Sequence, residues 1–344
     1  MKTVWLISDG NPGHYNQSKA IAEIIGEVKG WAVHWITVKP RYRGFMRPTV
    51  RLMTERLGGL MGLGAGRVLF TIDTLPDEPP GFVLSSGGKT AVFNALIARH
   101  FSCANLFIGL PPISPALFSR ILLIESHFTC DNCQSLDFLP TPVSAEGAKR
   151  AGDAFRQKNG LKGRYWSLLI GGNSRSHKYS AEEWQQLAQT MNKLALENEI
   201  QWLVTSSRRT GLEAENVLQD HLKPELVGHA TWWGSAPAKV VKPYLGASDV
   251  VFCTQDSLTM LTDGMGAGKP VIALGPQHVV VDEVRDRFFL DYIQRNIDKN
   301  RIKRIMLDEL NDLGSEMLTG FETLQGSVAQ EIYQSGLKDL LEPV

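Results

Sequence analysis

The stretch LISDGNPGHYNQS, residues 6–18, begins in an apolar run and passes directly into a polar segment. The apolar run has the composition of a buried strand. The segment after it holds two glycines, a proline, a histidine and several amides, more special residues than a simple turn needs. In an open parallel sheet, ligands bind beyond the carboxyl ends of the strands. The stretch therefore predicts both an α/β fold and the edge of the sheet where chemistry takes place.

The same alternation continues outward from this stretch, because short runs rich in Val, Ile and Leu alternate with longer amphipathic segments. This pattern is typical of βαβ units and parallel sheets. Strands are predicted at 3–8, 32–38, 81–85, 105–110, 121–125, 165–170, 201–205, 226–227, 249–253 and 270–274. Helices are predicted at 18–28, 89–100, 144–157, 181–197, 214–221, 238–247 and 257–267.

A polar, glycine-bearing stretch at 156–163 separates two runs of this alternation. We therefore predict an N-terminal Rossmann-like domain over 1–158 and a C-terminal one over 159–325. The last helix, 326–341, is expected to return to the first domain. The chain has 344 residues, 43% of them hydrophobic, which suits two domains of ordinary size.

Charge and hydropathy argue against nucleic-acid binding and against a membrane span, and they leave a peripheral membrane contact open. Lysine plus arginine number 36 and aspartate plus glutamate 36, so no overall basic field is available for nucleic acid. No segment has the length of a signal-peptide core or a membrane span, and a cytoplasmic location is expected. Residues 39–63 are basic and apolar, which fits either a peripheral contact with the inner face of a membrane or a surface helix covering the sheet.

The four cysteines indicate a reduced compartment. His127, Cys130 and Cys133 have metal-like spacing, but no second pair of ligands accompanies them, so we predict free thiols and no metal. Glycine-rich stretches at 62–66 and 264–270 do not follow strands, and Pro270 stands where a phosphate loop needs a hydroxyl. No nicotinamide or ATP site, and no cofactor, is expected.

Five predicted strands are each followed by small, hydroxyl-bearing or amide residues, several with a cation. These segments are 8–14, 85–90, 171–179, 205–211 and 254–260. One alone fits a well-capped helix start, whereas five together favour an anion-binding site. Arg208 and Arg209 are adjacent at a predicted helix start, where their charges oppose the helix dipole unless an anion is bound. The alternative is that one or both point into solvent.

Segments 8–18, 171–174, 205–210 and 249–270 together resemble the mitochondrial-fission Elm-type family, and the resemblance spans most of the chain. Bacterial members of that family are described as glycosyltransferases with a GT-B-like fold, and plant members are regarded as adaptors that recruit fission machinery. The chain departs from the family pattern at Asn11, where the family has lysine, and at Asp263-Gly264, where it has Glu-Ala.

The resemblance implies two Rossmann-like domains facing across a cleft, with a nucleoside-diphosphate sugar bound mainly by the second. Donor-binding residues would be Gly171, Gly172, Asn173, Ser174, Lys178, Ser206, Ser207, Arg208, Arg209, Thr210, Gln255, Asp256, Ser257, Met260 and Asp263. Acceptor-side residues would be Gly10, Gly13, Asn16, Gln17, Ser86, Gly87, Lys89 and Thr90.

His14 or Asp9 is the candidate general base for an acceptor hydroxyl, because a histidine has a suitable intrinsic pKa. The alternative is that His14 only fixes its loop by hydrogen bonds. Since no acidic metal clamp is evident, cations and helix N–H groups are expected to neutralise the leaving group. The expected function is metal-independent sugar transfer to a cell-envelope acceptor, with a lipid-linked acceptor as one candidate. The alternatives are a nucleotide-sugar epimerase and a non-enzymatic adaptor.

Overall fold

The computed structural model describes residues 2–124, 128–280, 282, 287–313, 315–322 and 332–341. The chain divides into two compact units, 1–142 with 328–344 and 143–327. Each unit is built on its own largely or wholly parallel sheet flanked by helices. The predicted α/β class is confirmed.

The first unit contains a seven-stranded sheet in the order β3-β2-β1-β4-β5-β6-β7, parallel except for the antiparallel pair β2 and β3. All six residues of β1 are buried, as expected for a central strand covered on both faces. The strands are β1 Thr3–Ser8, β2 Ala32–Pro40, β3 Phe70–Ile72, β4 Phe82–Ser86, β5 Ala104–Ile108, β6 Arg120–Leu123 and β7 Cys133–Ser135.

Among the described residues, the helices that flank this sheet include α1 Pro12–Lys29, α2 Arg47–Leu69 and α3 Ala91–His100. Helix α1 begins at Pro12 instead of the predicted residue 18, because proline is well suited to the first turn of a helix. His14, Asn16 and Gln17 therefore belong to the first turns of α1 and not to a loop.

Helix α2 and the short 3₁₀ turn before it, Gly44–Met46, occupy the basic and apolar segment. Val50 and Thr54 of α2 are buried, and the helix packs on α3. Phe45 is 76% exposed and Leu52 47% exposed. The segment thus covers part of the core and also presents apolar side chains to solvent.

The second unit contains a six-stranded parallel sheet in the order β11-β10-β8-β12-β13-β15 and a short antiparallel pair, β9 and β14. The chain winds outward from β8 in both directions, so the carboxyl end of β8 is a topological switch point. The strands are β8 Tyr165–Leu169, β9 His177–Lys178, β10 Gln201–Thr205, β11 Val227–Thr231, β12 Val250–Thr254, β13 Val271–Gly275, β14 His278–Val279 and β15 Ile302–Met306.

The helices of this unit have recognisable start signals. Ser144 caps one helix, and Ser180 with Glu183 forms a capping box on the next. The helices are α4 Ala145–Asn159, α5 Ala181–Asn198, α6 Leu212–His221, α7 Val241–Ala247, α8 Leu258–Gly266 and α9 Arg287–Asp298. A last short helix, α10 Lys338–Leu341, follows a π-helical turn at Tyr333–Leu337 that contacts β7 in the first unit.

The unit boundary falls at 142/143 and not at the predicted 158/159, because α4 packs tightly on α7. A Cβ atom on Gly246 would lie 1.8 Å from the carbonyl oxygen of Ala148, and one on Gly152 would lie 2.2 Å from the carbonyl carbon of Gly246. Helix α4 therefore belongs to the second unit. Of the predicted helix at 326–341, residues 323–331 lie outside the described part of the chain, and 332–341 belong to the first unit.

The prediction of free thiols at Cys130 and Cys133 is wrong, because the two sulfurs form a disulfide across a three-residue separation. His127 lies outside the described residues. Within the described ranges, no cluster of His, Cys, Asp and Glu has a geometry that could hold a metal ion. Among the helices described, none is both long and apolar enough to cross a bilayer.

Candidate functional site

In the second unit, the predicted donor-binding loops follow β8, β10 and β12, three adjacent strands of one parallel sheet. Adjacent parallel strands place their carboxyl ends at the same edge, so residues 171–174, 206–210 and 255–257 converge there. The structure therefore brings these three segments together at one edge of the second sheet.

Asp256 lies at the centre of this convergence. Its carboxylate accepts hydrogen bonds from the N–H of Gly172 and the hydroxyl of Tyr179, each at 3.3 Å, and pairs with Arg209 at 2.8 Å. The side chain of Asp256 is fully buried, whereas that of Arg209 is 38% exposed. Burial raises the pKa of Asp256 to about 6, outweighing Arg209 and the hydrogen-bond donors, which lower it.

Two glycines permit this packing. A Cβ atom on Gly171 would lie 2.3 Å from Oδ2 of Asp256, and one on Gly172 would lie 2.5 Å from the carbonyl oxygen of Arg209. Gly172 also has a φ of +105°, which other residues rarely adopt. Contacts between the loops require these glycines.

The backbone N–H groups of the turn after β8 are already engaged within the protein. Gly171 donates to Oγ1 of Thr254 at 2.7 Å, Asn173 to the carbonyl of Arg209 at 3.2 Å, and Ser174 to the carbonyl of His177 at 2.9 Å. With Gly172 donating to Asp256, the turn is a structural support of the site and not the source of free amides for an anion.

The hydroxyl groups of the loop after β10 have the same supporting role. Ser207 and Thr210 both donate to the carbonyl oxygen of Gly171. Ser206 donates to the buried carboxylate of Glu215 at 2.6 Å, and Glu215 also accepts from the N–H of Gly234. These bonds join the loops after β8, β10 and β11 into one network.

Helix α8 begins at Leu258, two residues after Asp256, and provides the N–H groups that the other loops do not. Its N-cap, Ser257, makes no side-chain cap hydrogen bond, and its first turn carries no acidic residue. The first-turn amides of Leu258, Thr259 and Met260 have no acceptor within the helix, and the three residues are half-buried. An uncapped helix N-terminus of this kind attracts anions.

The two adjacent arginines differ in their surroundings. Arg208 is exposed, and among the described residues it forms no ion pair, whereas Arg209 is held by Asp256. Both precede Gly211, the N-cap of α6, whose first turn carries Glu213 and Glu215. The arginines therefore do not lie in the first turn of a helix, and the predicted conflict with the helix dipole does not arise.

The remaining predicted donor residues lie on neighbouring elements. Asn173 and Arg209 line a cavity of about 410 Å³ that extends to the starts of α5 and α6. Lys178 is exposed in β9, and Asp263 is half-buried in α8. The buried Oε1 of Gln255 has no hydrogen-bond partner in the described part of the chain.

In the first unit, His14 and Asp9 form a hydrogen-bonded pair. Nδ1 of His14 lies 3.2 Å from both carboxylate oxygens of Asp9. The Asp9 side chain is 4% exposed and that of His14 is 36% exposed. Because a carboxylate only accepts hydrogen bonds, this contact places a proton on Nδ1, and in the neutral imidazole Nε2 is then an acceptor. This is the arrangement of a general base with an orienting carboxylate.

Gly87 makes room for this histidine. Its φ is +87°, and a Cβ atom there would lie 2.2 Å from Nδ1 of His14. The loops after β1 and β4 are thus joined at the carboxyl edge of the first sheet, with Ser86 donating to Gln17 at 3.2 Å. Thr90 donates to the carbonyl of Gly87, and Lys89 is exposed beside it. The other predicted acceptor-side residues are Gly10 with a φ of +77°, Gly13 in α1, and the half-buried Asn16.

The sequence reasoning missed Tyr179 and Glu215. Tyr179 donates to Asp256 from 77 positions away, and Glu215 accepts from Ser206 nine positions earlier. Tyr179 is the last residue of the segment 171–179 and Glu215 lies in the predicted helix 214–221, but neither side chain was assigned to the site. The burial of Glu215 is visible only in the structure, which places its carboxylate opposite the hydroxyl of Ser206.

The model of the family described as Mitochondrial fission ELM1 matches residues 12–305. The chain is similar to the UDP-GlcNAc 2-epimerase from Methanocaldococcus jannaschii, with 11% identity, a TM-score of 0.56, and 97% of this chain and 99% of that chain covered. A second structure from that organism, of the epimerase with UDP-GlcNAc and UDP, gives 12% identity, a TM-score of 0.51 and coverages of 97% and 99%. No curated protein matches the chain by sequence. At such low identity, these likenesses show the fold, two Rossmann-like domains of the GT-B type.

Proposed function

The chain belongs to the Mitochondrial fission ELM1 family, and on that premise we propose that it is a glycosyltransferase using a nucleoside-diphosphate sugar. The observation that carries the proposal is the position of Arg209 and the uncapped start of α8. Both lie at the topological switch point of the second sheet, on either side of Asp256. Cations beside free helix N–H groups at this edge suit a diphosphate.

The donor diphosphate would bind at the N-terminus of α8. The amides of Leu258, Thr259 and Met260 would donate to its oxygens, and the exposed guanidinium of Arg208 would add a mobile cation. Arg209 would share its charge between the diphosphate and Asp256. The similar epimerase structure is described as a complex with UDP-GlcNAc and UDP, which supports a nucleoside-diphosphate sugar as the donor.

His14, in the first unit, would act as the general base for sugar transfer. Nε2 of His14 takes the proton of an acceptor hydroxyl as its oxygen bonds to the anomeric carbon, and the bond from that carbon to the diphosphate oxygen breaks. The nucleoside diphosphate leaves with the electron pair. Asp9 stabilises the imidazolium that forms, and the cations and helix amides at α8 stabilise the charge on the leaving group. We also propose that the transfer needs no metal ion, because these cations and amides neutralise the leaving group.

The acceptor is proposed to be a cell-envelope molecule, and a lipid-linked one would be met at a membrane surface. The exposed Phe45 and Leu52 and the arginines between them, Arg47 and Arg51, provide apolar and cationic groups for that contact. This would place the protein peripherally at the membrane.

Two alternative functions make different predictions. The similarity to two UDP-GlcNAc 2-epimerase structures favours an epimerase as the second enzymatic candidate, which would convert donor without any acceptor. The family's description favours an adaptor as the non-enzymatic candidate, which would turn over no donor. Incubation with the donor alone distinguishes an epimerase from a transferase, because only the epimerase converts the donor without an acceptor. Absence of turnover in all conditions supports the adaptor.

The test is turnover of radiolabelled nucleoside-diphosphate sugars by the full chain in the presence of cell-envelope extract. Transfer of label should fall about 10²- to 10⁴-fold in His14→Gln. His34→Gln, a substitution of a half-buried histidine of β2 outside the site, should retain wild-type transfer. Transfer that persists in His14→Gln, or label found only in an epimer of the donor, would contradict the proposal.

A further inference from the structure

The first unit has a cavity of about 320 Å³ at the carboxyl edge of its sheet. It is lined by Asp9, Val38, Lys39, Pro40, Tyr42, Arg47 and Lys89. These residues come from the end of β1, the end of β2, the start of α2 and the loop before α3. The cavity shares Asp9 with the His14 pair.

The charge of the cavity is strongly positive. Lys39, Arg47 and Lys89 are exposed, and within the described ranges no carboxylate forms an ion pair with any of them. The one carboxylate in the lining, Asp9, is engaged by His14. Three cations from three different elements therefore face one small space, with no neutralising partner among the described residues, an arrangement that favours an anion.

Tyr42 adds a neutral hydrogen-bond donor to the lining. Burial raises the pKa of Tyr42 above its usual value, whereas the charges of Arg47 and Arg51 lower it. The hydroxyl therefore keeps its proton at neutral pH, and the positive potential of the two arginines reaches it. A bound anion would lie among three cations and this hydroxyl.

We infer that this cavity binds a phosphoryl group carried by the acceptor; the term acceptor rests on the proposed glycosyltransferase function. A phosphoryl group has three strong acceptor oxygens, which match three separate cations better than the two oxygens of a carboxylate do. Because Asp9 belongs to both the cavity and the histidine pair, a phosphoryl group held there places the acceptor next to the pair of Asp9 and His14.

The size of the cavity limits what it holds. Its volume lies near the lower end of the range of ligand pockets, about 300–1,000 Å³. It therefore takes a phosphorylated head and leaves the remainder of the acceptor outside. Phe45 and Met46, both exposed, lie immediately before Arg47 in the chain. Such a head can come from a soluble phosphate ester or from a lipid in a membrane.

The experiment measures binding of glycerol 3-phosphate to the full-length protein by calorimetry, with saturating UDP present to occupy the donor site. The triple variant Lys39→Gln/Arg47→Gln/Lys89→Gln should bind at least about tenfold more weakly than wild type. The control triple, Lys2→Gln/Lys19→Gln/Arg99→Gln, removes the same charge from the same unit outside the cavity and should bind nearly as wild type. Equal weakening in both triples, or none in either, would overturn the inference.

A second arm identifies the source of the phosphoryl group. Sedimentation compares phosphatidylcholine vesicles with and without phosphatidic acid, again for both triples. Phosphatidic-acid binding that is much tighter than glycerol 3-phosphate binding and is lost only in the cavity triple assigns a membrane-borne group. Comparable affinities assign a soluble one.

The two proposals fail separately. UDP binding measured alone should be unchanged in the cavity triple, because its three positions lie in the first unit. If the cavity triple loses glycerol 3-phosphate binding but keeps UDP binding, the phosphoryl site lies in the cavity and is separate from the donor site. Absence of UDP binding in wild type would instead concern the proposed donor site.

Discussion

Nη2 of Arg209 lies 2.8 Å from Oδ2 of Asp256, and the carboxylate it contacts is fully buried. The neighbouring Arg208 is exposed and has no such partner in the described part of the chain. Two adjacent arginines that look alike in the sequence therefore differ in what they do for the fold. One neutralises a buried charge at the junction of three loops, and the other is available to a ligand.

The first prediction concerns stability. Arg209→Ala should lower the free energy of unfolding by about 1–3 kcal/mol at pH 8, because it leaves a buried carboxylate without its cation. Arg208→Ala should change it by no more than about 0.5 kcal/mol, as expected for an exposed side chain. Urea denaturation of both variants in parallel checks this. Equal effects of the two substitutions would mean that the ion pair is not formed in solution.

The second prediction concerns pH. The pKa of Asp256 is raised from 3.8 to about 6, so between these values the folded state binds more protons than the unfolded state. The stability that this contributes is present below pH 4 and is lost as pH rises through 6. Relative to Asp256→Asn, wild type should therefore gain about 2–3 kcal/mol between pH 7.5 and pH 4.

All other titrating groups contribute equally to the pH dependence of wild type and Asp256→Asn, so their contributions cancel in the difference between the two proteins. If the Arg209 charge outweighed burial, the sign would reverse and wild type would lose stability relative to the variant on acidification. Denaturant midpoints at four pH values distinguish the two signs.

A third prediction uses two adjacent glycines. Gly87→Ala should displace His14, because the added Cβ would lie 2.2 Å from Nδ1 and the φ of +87° is unfavourable for alanine. We expect a loss of about 1–3 kcal/mol and a changed His14 tautomer in ¹⁵N NMR spectra. At Gly88 the nearest atom to a new Cβ is 3.6 Å away, so Gly88→Ala should leave the spectrum unchanged. A wild-type His14 signal in Gly87→Ala would contradict the described contact.

A fourth prediction tests the unit boundary. Gly246→Ala places a methyl group 1.8 Å from the carbonyl oxygen of Ala148 and should force α4 away from α7, destabilising the second unit by about 3 kcal/mol or more. The control is Gly26→Ala in α1, where the nearest atom is 3.7 Å away and the helix gains about 0.5–1 kcal/mol. If α4 were an independent linker, Gly246→Ala would be tolerated, and limited proteolysis would show no new cleavage near 145–159.

The central parallel strands could be predicted from the sequence because they are apolar runs buried on both faces. Strand β1 matches its predicted residues 3–8, and β10 matches 201–205. The antiparallel strand β3 and the edge strands β7 and β15 were not predicted, since an edge strand needs few apolar residues. The unit boundary was misplaced because the polar end of α4 looks like a linker, while the contact that fixes it, Gly152 against Gly246, joins distant positions.

The sequence indicated that these loops lie at one edge of the sheet, but it did not indicate which groups accept their hydrogen bonds. Glycine and serine at 171–174 and 206–207 are equally compatible with an anion and with bonds between loops, and only the fold shows that Asp256, Thr254 and Glu215 accept them. The pair of Asp9 and His14 was identified as a set of candidates because both lie in one short segment. Its geometry depends on where α1 begins.

The measurement that tests the account most directly is calorimetric titration of the full chain with a panel of nucleoside diphosphates, comparing wild type, Arg209→Ala and Arg150→Ala. The account predicts that at least one nucleoside diphosphate binds wild type, that Arg150→Ala, a substitution on the exposed side of α4, binds it equally, and that Arg209→Ala binds it at least about tenfold more weakly. Absence of binding across the panel, or the same affinity in Arg209→Ala as in wild type, would contradict a diphosphate site at the start of α8.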